Sequence, residues 1–409
     1  MEWLRFLRQN GLWLGAGGLL TFLSGFGQTF FIAIFAGEIR EDFGLTNGQW
    51  GGIYTLGTAC SAVLMVWAGG LTDRFRVRRL GPVVLVGLAL ACLAMAFNTS
   101  VLLLPLVIFA LRFFGQGMTS HIAVVAMSRW FVATRGRALA IATLGFSVAE
   151  AVLPLTFVAL MARVDWRWLW VAGAVVVLCG VPMLLAALRH ERTPQSLATQ
   201  ERSAGMRGEQ WTRGAALGHP LFWLLVPALL GPPAFGTAFF FHQVHFAAVK
   251  GWEHVALVAL FPVYTLSAVG AMILSGWALD RWGTARLMPW IQLPMVVAFA
   301  VFAGAGSLGA VAAGLVAMAM TTGANATLMN AFWAEFYGTA HLGAIKAMAA
   351  AVMVLGSALG PGITGALIDL GVGIEAQYGA VAGYFLGTTV CLWMGIRRYA
   401  GSVAGTSLG

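Results

Sequence analysis

Charged residues are scarce in this chain of 409 residues. They make up 10% of it, whereas hydrophobic residues make up 60% and the mean hydropathy is +0.84. A soluble globular chain carries about 25% charged residues. The composition therefore excludes an ordinary soluble protein and favours a chain that lies in lipid.

Cysteines are few, and the motifs of nucleotide or metal chemistry are missing from the sequence. The four cysteines lie in apolar runs with no pair at metal-ligand spacing, so we expect buried thiols, no disulfide and no metal site. There is no Gly-Lys-Ser/Thr phosphate loop, no nucleophile elbow and no His-Glu-x-x-His sequence. These absences disfavour ATP-driven transport and hydrolysis, and we predict neither an enzyme nor a bound cofactor.

Long apolar runs are what the sequence has instead. They recur about twelve times with short polar breaks between them. A membrane-spanning backbone must satisfy its own hydrogen bonds, which leaves helices or closed barrels. Runs of roughly 20 apolar residues are too long for barrel strands of about 10 residues. The sequence therefore predicts an all-α membrane protein of twelve transmembrane helices.

The lysine and arginine residues are distributed unevenly among the predicted loops. If the N-terminus is cytoplasmic, 19 of the 24 fall in inside segments, four in outer loops, and Arg112 within a helix. The positive-inside rule then places both termini in the cytoplasm of a bacterial-type inner membrane. The formal charge of +9 reflects this topology rather than a nucleic-acid partner, and we expect a monomer in the bilayer.

The chain repeats itself with a fixed offset. Residues 69–74 and 276–281 are similar inside loops separated by 207 positions. The same offset relates four further pairs: Arg79 and Arg286, Pro82 and Pro289, Gly136 and Gly343, and Pro154 and Pro361. We predict two pseudo-symmetric six-helix bundles, residues 1–188 and 219–409, joined by a cytoplasmic linker at 189–218.

The repeated loop resembles that of the major facilitator superfamily. Its first copy reads Gly-x-Leu-x-Asp-Arg at residues 69–74 and is followed by basic residues, although Arg76 stands where the family pattern has a glycine. The second copy keeps that glycine as Gly283. The resemblance covers essentially the whole chain and implies a secondary transporter with the fold predicted above.

Residues near the helix ends are candidates for the gates. By the resemblance, Asp73 can meet a helix N-terminus and nearby arginines and latch the inner gate, unless these charges only follow topology. His242 and His245, one turn apart near the outer end of helix 7, could form an outer gate or respond to pH. The predicted gating residues are Gly69, Asp73, Arg74, Arg78, Arg79, Asp280, Arg281, Glu335, His242 and His245.

The segment that joins helix 4 to helix 5 resembles particular families within this superfamily. Residues 130–140, which contain Trp-Phe and then Arg-Gly-Arg-Ala-Leu-Ala, and the Gly-Phe-Ser at 145–147 resemble monocarboxylate and oxalate/formate-type carriers. Those families also tend to carry a cation in helix 8. Residues 253–279 contain no lysine or arginine, so the chain departs from them there.

Arg112 and Glu150 are the predicted intramembrane charges. Each lies about 16 to 18 Å along its helix at about 1.5 Å per residue, close to the middle of a hydrocarbon core of about 30 Å. A charge at that depth costs at least about 2.5 kcal/mol, so each should face a partner or a wet cavity. Either the two form a structural ion pair, or Arg112 attracts an anionic substrate and Glu150 is its proton-responsive partner.

Polar residues in other helices complete the predicted substrate site. They are Gln28, Tyr264, Asn325 and Asn330, each of which could instead make only interhelical hydrogen bonds. The leading hypothesis is a proton-coupled secondary transporter (a symporter or exchanger) of a small organic anion such as a carboxylate. The 16 Trp and 27 Phe residues also allow a proton-driven exporter of drugs or metabolites. A third alternative is a membrane receptor or assembly partner that does not transport.

Overall fold

The fold is helical throughout the part of the chain that the structure describes. The computed structural model describes residues 2–131, 134–190, 204–338 and 340–402, and every regular element in these ranges is a helix. Eleven helices there are long and apolar enough to cross a membrane, and a bent pair near the N-terminus adds a twelfth span. The prediction of an all-helical membrane protein is confirmed.

We number the spans α1 to α12 in chain order. The bent span α1 consists of Phe6–Gly27 and Thr29–Phe43, which meet at 45°. The others are α2 (Asn47–Ala68), α3 (Val77–Phe97), α4 (Val101–Trp130), α5 (Arg137–Met161), α6 (Trp166–Ala187), α7 (Pro220–Phe241), α8 (His254–Trp282), α9 (Thr284–Gly304), α10 (Leu308–Tyr337), α11 (Ala344–Asp369) and α12 (Ile374–Ser402).

The bend in α1 is a local break in the helix. Ser24–Gly27 form a tighter 3₁₀ turn, and Gln28 is extended with φ −87° and ψ 154°. A Cβ built on Gly27 would lie 2.2 Å from the carbonyl oxygen of Leu111 and 2.7 Å from the Cα of Gly115. Only glycine therefore lets the break lie directly against the backbone of α4.

The winding of α4 changes in the middle of the span. Arg112–Thr119 are π-helical between the α-helical segments Leu104–Leu111 and Ser120–Trp130. The Thr119 hydroxyl donates to the carbonyl of Phe114, five residues earlier, at 2.6 Å. Because π-helical turns are rare and frequently occur at functional sites, this stretch marks α4 as a place to look for one.

Contacts divide the chain into two compact units. The first lies within Met1–Thr199, Phe240–Ala248 and Glu253–Val258, and the second within Gln200–Phe239, Val249–Trp252 and Ala259–Gly409. The segments 240–248 and 253–258 belong to the second predicted half, yet they pack with the first unit. Residues 191–203 of the predicted linker lie outside the described residues, whereas 204–218 contain the short helix Arg213–Gly218.

An aromatic core holds α1, α5 and α6 together in the first unit. The ring of Phe31, just after the break in α1, lies 4.9 Å from that of Phe157 and 5.2 Å from that of Trp170, both edge-on. Edge-to-face pairs add to the stabilisation from burial alone. The core fixes the break of α1 against its neighbours.

Glycines set the helix packing of the second unit. A Cβ on Gly323 of α10 would lie 2.2 Å from the carbonyl oxygen of Ala268 in α8. A Cβ on Gly360 of α11 would lie 2.1 Å from the carbonyl oxygen of Ala234 in α7. Small residues thus allow backbone-to-backbone approach in both helix pairs, as is common between membrane helices.

Candidate functional site

Arg112 is the buried charge around which the candidate site forms. The residue is 1% exposed and begins the π-helical stretch of α4. Its Nη1 donates to the carbonyl oxygen of Gly27 at 3.1 Å and to the hydroxyl of Thr29 at 3.3 Å. Both acceptors come from the break in α1, so the break and the π-helical stretch meet at this guanidinium.

The break in α1 is what makes the Gly27 carbonyl available. In an unbroken helix this oxygen would accept from the backbone N–H of Phe31. Here Phe31 and Ile32 both donate to the carbonyl of Gln28 instead, at 3.2 and 3.0 Å. The Gly27 oxygen is therefore open to a side-chain donor, and Arg112 supplies one.

Aromatic side chains surround the guanidinium. The hydroxyls of Thr29 and Tyr54 are hydrogen-bonded, and the Arg112 Cζ lies 5.4 Å from the centre of the Tyr54 ring. The ring of Phe241 lies 4.5 Å from that of Tyr54 and is stacked 5.5 Å from that of Trp50. We call Trp50, Tyr54 and Phe241 the aromatic cluster. It contributes a cation–π contact with Arg112 and excludes water.

Two donors in this region have no hydrogen-bond partner among the described residues. They are the Nε of Arg112 and the Nε1 of Trp50, both fully buried. An orphaned donor costs about 1 to 3 kcal/mol, and more when the group is charged. The site thus holds positive charge and free N–H groups that suit an acceptor with negative charge.

The structure gives Arg112 other partners than Glu150, so the structural ion pair, one of the two alternatives for these charges, gains no support from the described contacts. Among the described residues, the hydrogen-bond acceptors of Arg112 are Gly27 and Thr29, and Glu150 is not one of them. Glu150 lies partly exposed on α5. The physical reason is that the broken segment of α1 provides neutral oxygens to the guanidinium.

Gln28 is brought to the same place as Arg112. It is 8% exposed and lies at the break, between the two residues that accept from Arg112. On the other side of the break, a Cβ on Gly25 would lie 2.8 Å from the Cβ of Ala149, the neighbour of Glu150. The break is therefore enclosed by α4 on one side and α5 on the other.

The remaining predicted substrate residues lie in the second unit. The Tyr264 hydroxyl donates to Thr322 at 3.2 Å, and the buried Oδ1 of Asn325 has no hydrogen-bond partner among the described residues. Asn330 donates to the carbonyl of Ala326 at 2.7 Å and accepts from the Nζ of Lys346 at 2.7 Å. Together they form a polar stretch along α8, α10 and α11.

The loop between α2 and α3 is held by α4. His121 Nε2 lies 3.3 Å from the carbonyl oxygen of Gly69, and Arg129 donates to the carbonyl of Thr72 at 2.8 Å. Sequence reasoning did not assign these two residues to the gate. They are eight residues apart, a spacing that returns roughly to the same helix face and could have indicated the contact. The side chain of Asp73 lies outside the described residues.

The other predicted gating residues are dispersed. Arg78 donates to the carbonyl of Arg189 at 3.0 Å, and Glu335 accepts from the Thr284 hydroxyl at 2.8 Å. His242 is 3% exposed, with its ring 5.0 Å from that of Phe241. Four predicted gating side chains are exposed to a large degree, namely Arg74, Arg79, Asp280 and Arg281, and His245 is partly buried. The gate assignments remain predictions.

The match to a family model decides what kind of protein this is. Residues 17–308 match the model of the Major Facilitator Superfamily. The chain belongs to the major facilitator superfamily. It is a multi-pass membrane transporter and not an enzyme, and the resemblance to monocarboxylate carriers is confirmed by two relatives.

Both relatives are mammalian proteins, and the matched region covers similar shares of each. Monocarboxylate transporter 13 of Rattus norvegicus is 28% identical over 314 residues, which cover 75% of this chain and 70% of that protein. Monocarboxylate transporter 13 of Bos taurus is likewise 28% identical, over 75% of this chain and 71% of that protein.

Solved structures share the fold at low identity. A bacterial homolog of the human lysosomal transporter Spinster, inward-facing and unoccupied, superposes with a TM-score of 0.73 at 15% identity, covering 97% of this chain and 99% of that one. The nucleoside transporter NupG superposes with a TM-score of 0.68 at 15% identity, covering 95% and 99%. Both show the major facilitator fold and carry no information on the solute of this chain.

Proposed function

We propose that this transporter moves a small organic anion, a carboxylate, by alternating access coupled to protons. We place it in the cell (inner) membrane with both termini in the cytoplasm, following the positive-inside distribution. Arg112 is the observation that carries the proposal. It is a buried guanidinium at a break between two helices, and its described hydrogen-bond acceptors are uncharged.

The energetics of Arg112 favour an anionic ligand. A buried cation without a counter-ion is costly, and neutral dipoles repay only part of that cost. A carboxylate offers two acceptor oxygens and a full negative charge to the free Nε, and guanidinium–carboxylate pairs are among the strongest hydrogen-bonded contacts. The relative named monocarboxylate transporter 13 supports the same solute class.

Proton coupling is assigned to Glu150 together with Arg112. The two residues lie on α5 and α4, and the break in α1 packs between these helices. Glu150 therefore acts on Arg112 through the position of α1 rather than by direct contact. In the proposed coupling, protonation of Glu150 shifts α5 at Ala149, and this shift changes how α1 presents its acceptors to the guanidinium.

The second unit supplies neutral polar groups to the solute. The buried Oδ1 of Asn325 has no partner in the part of the chain that the structure describes, which suits a hydroxyl or N–H donor on the solute body. Tyr264, Asn330 and Gln28 are the further side chains that we assign to solute contact. Two separate compact units in one chain are what alternating access requires.

Arg112→Gln is the decisive variant. Glutamine can still donate to the Gly27 carbonyl, so the helix contact survives while the charge is lost. A charge-assisted hydrogen bond contributes about 1.5 to 3 kcal/mol, so carboxylate affinity in proteoliposome counterflow should fall about 10- to 150-fold. Arg163→Gln, at an exposed position after α5, is the matched control and should transport normally. Carboxylate counterflow that survives in Arg112→Gln at its wild-type affinity contradicts the proposal.

The aromatic cluster favours one alternative, a proton-driven exporter of drugs or metabolites. Trp50 and Phe241 are stacked and buried in this structure, and in the exporter alternative they would contact an apolar or aromatic solute once the surrounding helices open. An exporter of this kind would lose efflux in Phe241→Ala and on dissipation of the proton gradient, without any preference for anions. The carboxylate carrier instead loses transport of every anion in Arg112→Gln, whether or not the solute is aromatic.

A further inference from the structure

Residues 204–218, the last part of the predicted linker, are folded against the second unit together with His219, and we call residues 204–219 the linker clasp. The Gly205 N–H donates to the carbonyl of Glu209 at 2.8 Å and closes a tight turn. Trp211 then donates twice, from its backbone N–H to the carbonyl of Tyr337 at 3.1 Å and from its Nε1 to the carbonyl of Met206 at 3.2 Å. A segment with these hydrogen bonds is a folded element and not a loose tether.

The clasp holds the loop between α10 and α11. A Cβ on Gly205 would lie 2.6 Å from backbone atoms of Phe336, Tyr337 and Gly338, so the two backbones are in direct contact. The Oε1 of Gln210 accepts from the backbone N–H of Ala340 at 3.0 Å. The cytoplasmic end of α10 therefore cannot move away without breaking the clasp.

His219 connects the clasp to two further helices. Its Nδ1 accepts from the backbone N–H of Leu221 at 3.3 Å and thereby caps the start of α7. Its ring lies edge-on at 4.9 Å from Trp211 and at 4.6 Å from Tyr399 near the end of α12. One imidazole thus touches the clasp, α7 and α12.

The surroundings of His219 disfavour its protonation. A protonated ring has no free Nδ1 lone pair to accept from Leu221, and it places positive charge at a helix N-terminus. Arg207 of the clasp is the charged group that acts on this ring, and Arg398 of α12 lies 5.7 Å from the centre of the Tyr399 ring that packs on His219. Burial, and to a smaller degree Arg207, lower the pKa of His219 from its ordinary value.

We propose that the linker clasp is a pH-sensitive latch on the cytoplasmic side of the second unit, closed by neutral His219 and released when this histidine is protonated. While it is closed, the clasp ties the cytoplasmic ends of α7, α10 and α12 into one body. The pKa of His219 is lower in the closed clasp than the ordinary value of about 6.5, so the released form binds the proton more tightly. The latch is therefore fully closed above about pH 6.5 and loosens progressively below it.

Hydrogen exchange on the full-length protein in lipid nanodiscs tests the latch without any substrate. Exchange is measured at about pH 7.5 and about pH 5.5, either side of the ordinary histidine pKa, and corrected for the intrinsic rate. Losing one hydrogen bond of about 1 kcal/mol should speed exchange of the clasp and of the peptide around Ala340 about fivefold at the lower pH.

Three variants test whether His219 and the clasp cause the faster exchange at the lower pH. His219→Asn keeps a good capping acceptor but does not titrate, so its exchange should be the same at both pH values. Trp211→Ala should speed exchange of the clasp and of the Ala340 peptide at both pH values. Trp290→Ala, at a position 54% exposed on the same unit, should behave as the wild type.

Each result either supports the latch or overturns it. Corrected exchange that does not change with pH in the wild type, or that still changes in His219→Asn, refutes the role of His219. Unchanged exchange around Ala340 in Trp211→Ala shows that the clasp does not hold that loop. None of these measurements depends on the proposed anion. The latch proposal can therefore be refuted while the transport proposal stands, and the transport proposal can be refuted while the latch proposal stands.

Discussion

Gly27→Ala is the sharpest test of how α1 and α4 form the site. Because the new methyl carbon would lie 2.2 Å from the Leu111 carbonyl oxygen and 2.7 Å from the Gly115 Cα, neither of which is a flexible side-chain end, the helices must separate. Separation also lengthens the bond from Arg112 to the Gly27 carbonyl, now 3.1 Å. We therefore expect a loss of stability from two sources.

The magnitude follows from these two contacts. Overpacking a tight position typically costs about 1 to 3 kcal/mol. A hydrogen bond from a charged donor contributes about 1.5 to 3 kcal/mol, which gives a total of about 2.5 to 6 kcal/mol. For units of this size each kcal/mol lowers the melting temperature by about 2 to 4 °C, so the apparent melting temperature should fall by at least about 5 °C.

The assay is thermal unfolding of purified protein in detergent, followed by intrinsic tryptophan fluorescence. Gly15→Ala is the matched control, because it lies in the same span and a Cβ there meets nothing within 4 Å. Alanine is a better helix former than glycine by about 0.5 to 1 kcal/mol, so this control should melt at or above the wild-type temperature. If Gly27→Ala melts within about 1 °C of the wild type, the close contact of α1 with α4 is wrong.

Three other contacts give independent checks. In the second unit, Gly323→Ala brings a methyl group to 2.2 Å from the Ala268 carbonyl oxygen and should lower the melting temperature, whereas Gly270→Ala, with nothing within 4 Å, should not. Tyr54→Phe removes the hydroxyl that is bonded to the Thr29 hydroxyl beside Arg112, and anion affinity in counterflow should fall about fivefold, the equivalent of one hydrogen bond of about 1 kcal/mol. The Lys250–Glu375 ion pair should show a coupling energy below about 1 kcal/mol in a double-mutant cycle on thermal unfolding, because the Glu375 side chain is 49% exposed.

The helices were predictable because each depends on local sequence, and the repeat was proposed on the same kind of evidence. A run of apolar residues in a membrane must satisfy its own backbone, so its length alone predicts a spanning helix. The repeated loops at residues 69–74 and 276–281 are visible because their glycine and charged residues recur at one offset. Neither inference needs to know which helix lies beside which.

The break in α1 and the π-helical stretch of α4 were not predictable in the same way. The sequence showed small residues around Gln28 but indicated one continuous helix there. Both irregularities arise where Gly27 and Gly115 bring two backbones together, and that contact depends on tertiary packing. Small residues indicate that a close approach is possible, without identifying the partner helix.

The acceptors of Arg112 were not predictable for a related reason. Rise per residue gives depth in the membrane, and both residues were correctly assigned to long apolar spans. Depth does not determine the direction in which a side chain points or what lies between two helices. The guanidinium of Arg112 donates to the carbonyl oxygen of Gly27, which the break leaves free. No pattern in the sequence predicts that a backbone oxygen is the acceptor.

The break in α1 nevertheless contacts both helices that carry Arg112 and Glu150. Gly25 packs on Ala149 of α5, and Gly27, two residues later, packs on Gly115 of α4 and accepts from Arg112. A tight contact transmits a displacement because close-packed groups cannot absorb it by compression. Any shift of α5 at Glu150 must therefore move the turn that contains Gly27. The Gly27 oxygen that accepts from Arg112 moves with that turn. In the proposed mechanism, this is the route by which a proton on Glu150 changes the affinity of Arg112 for an anion.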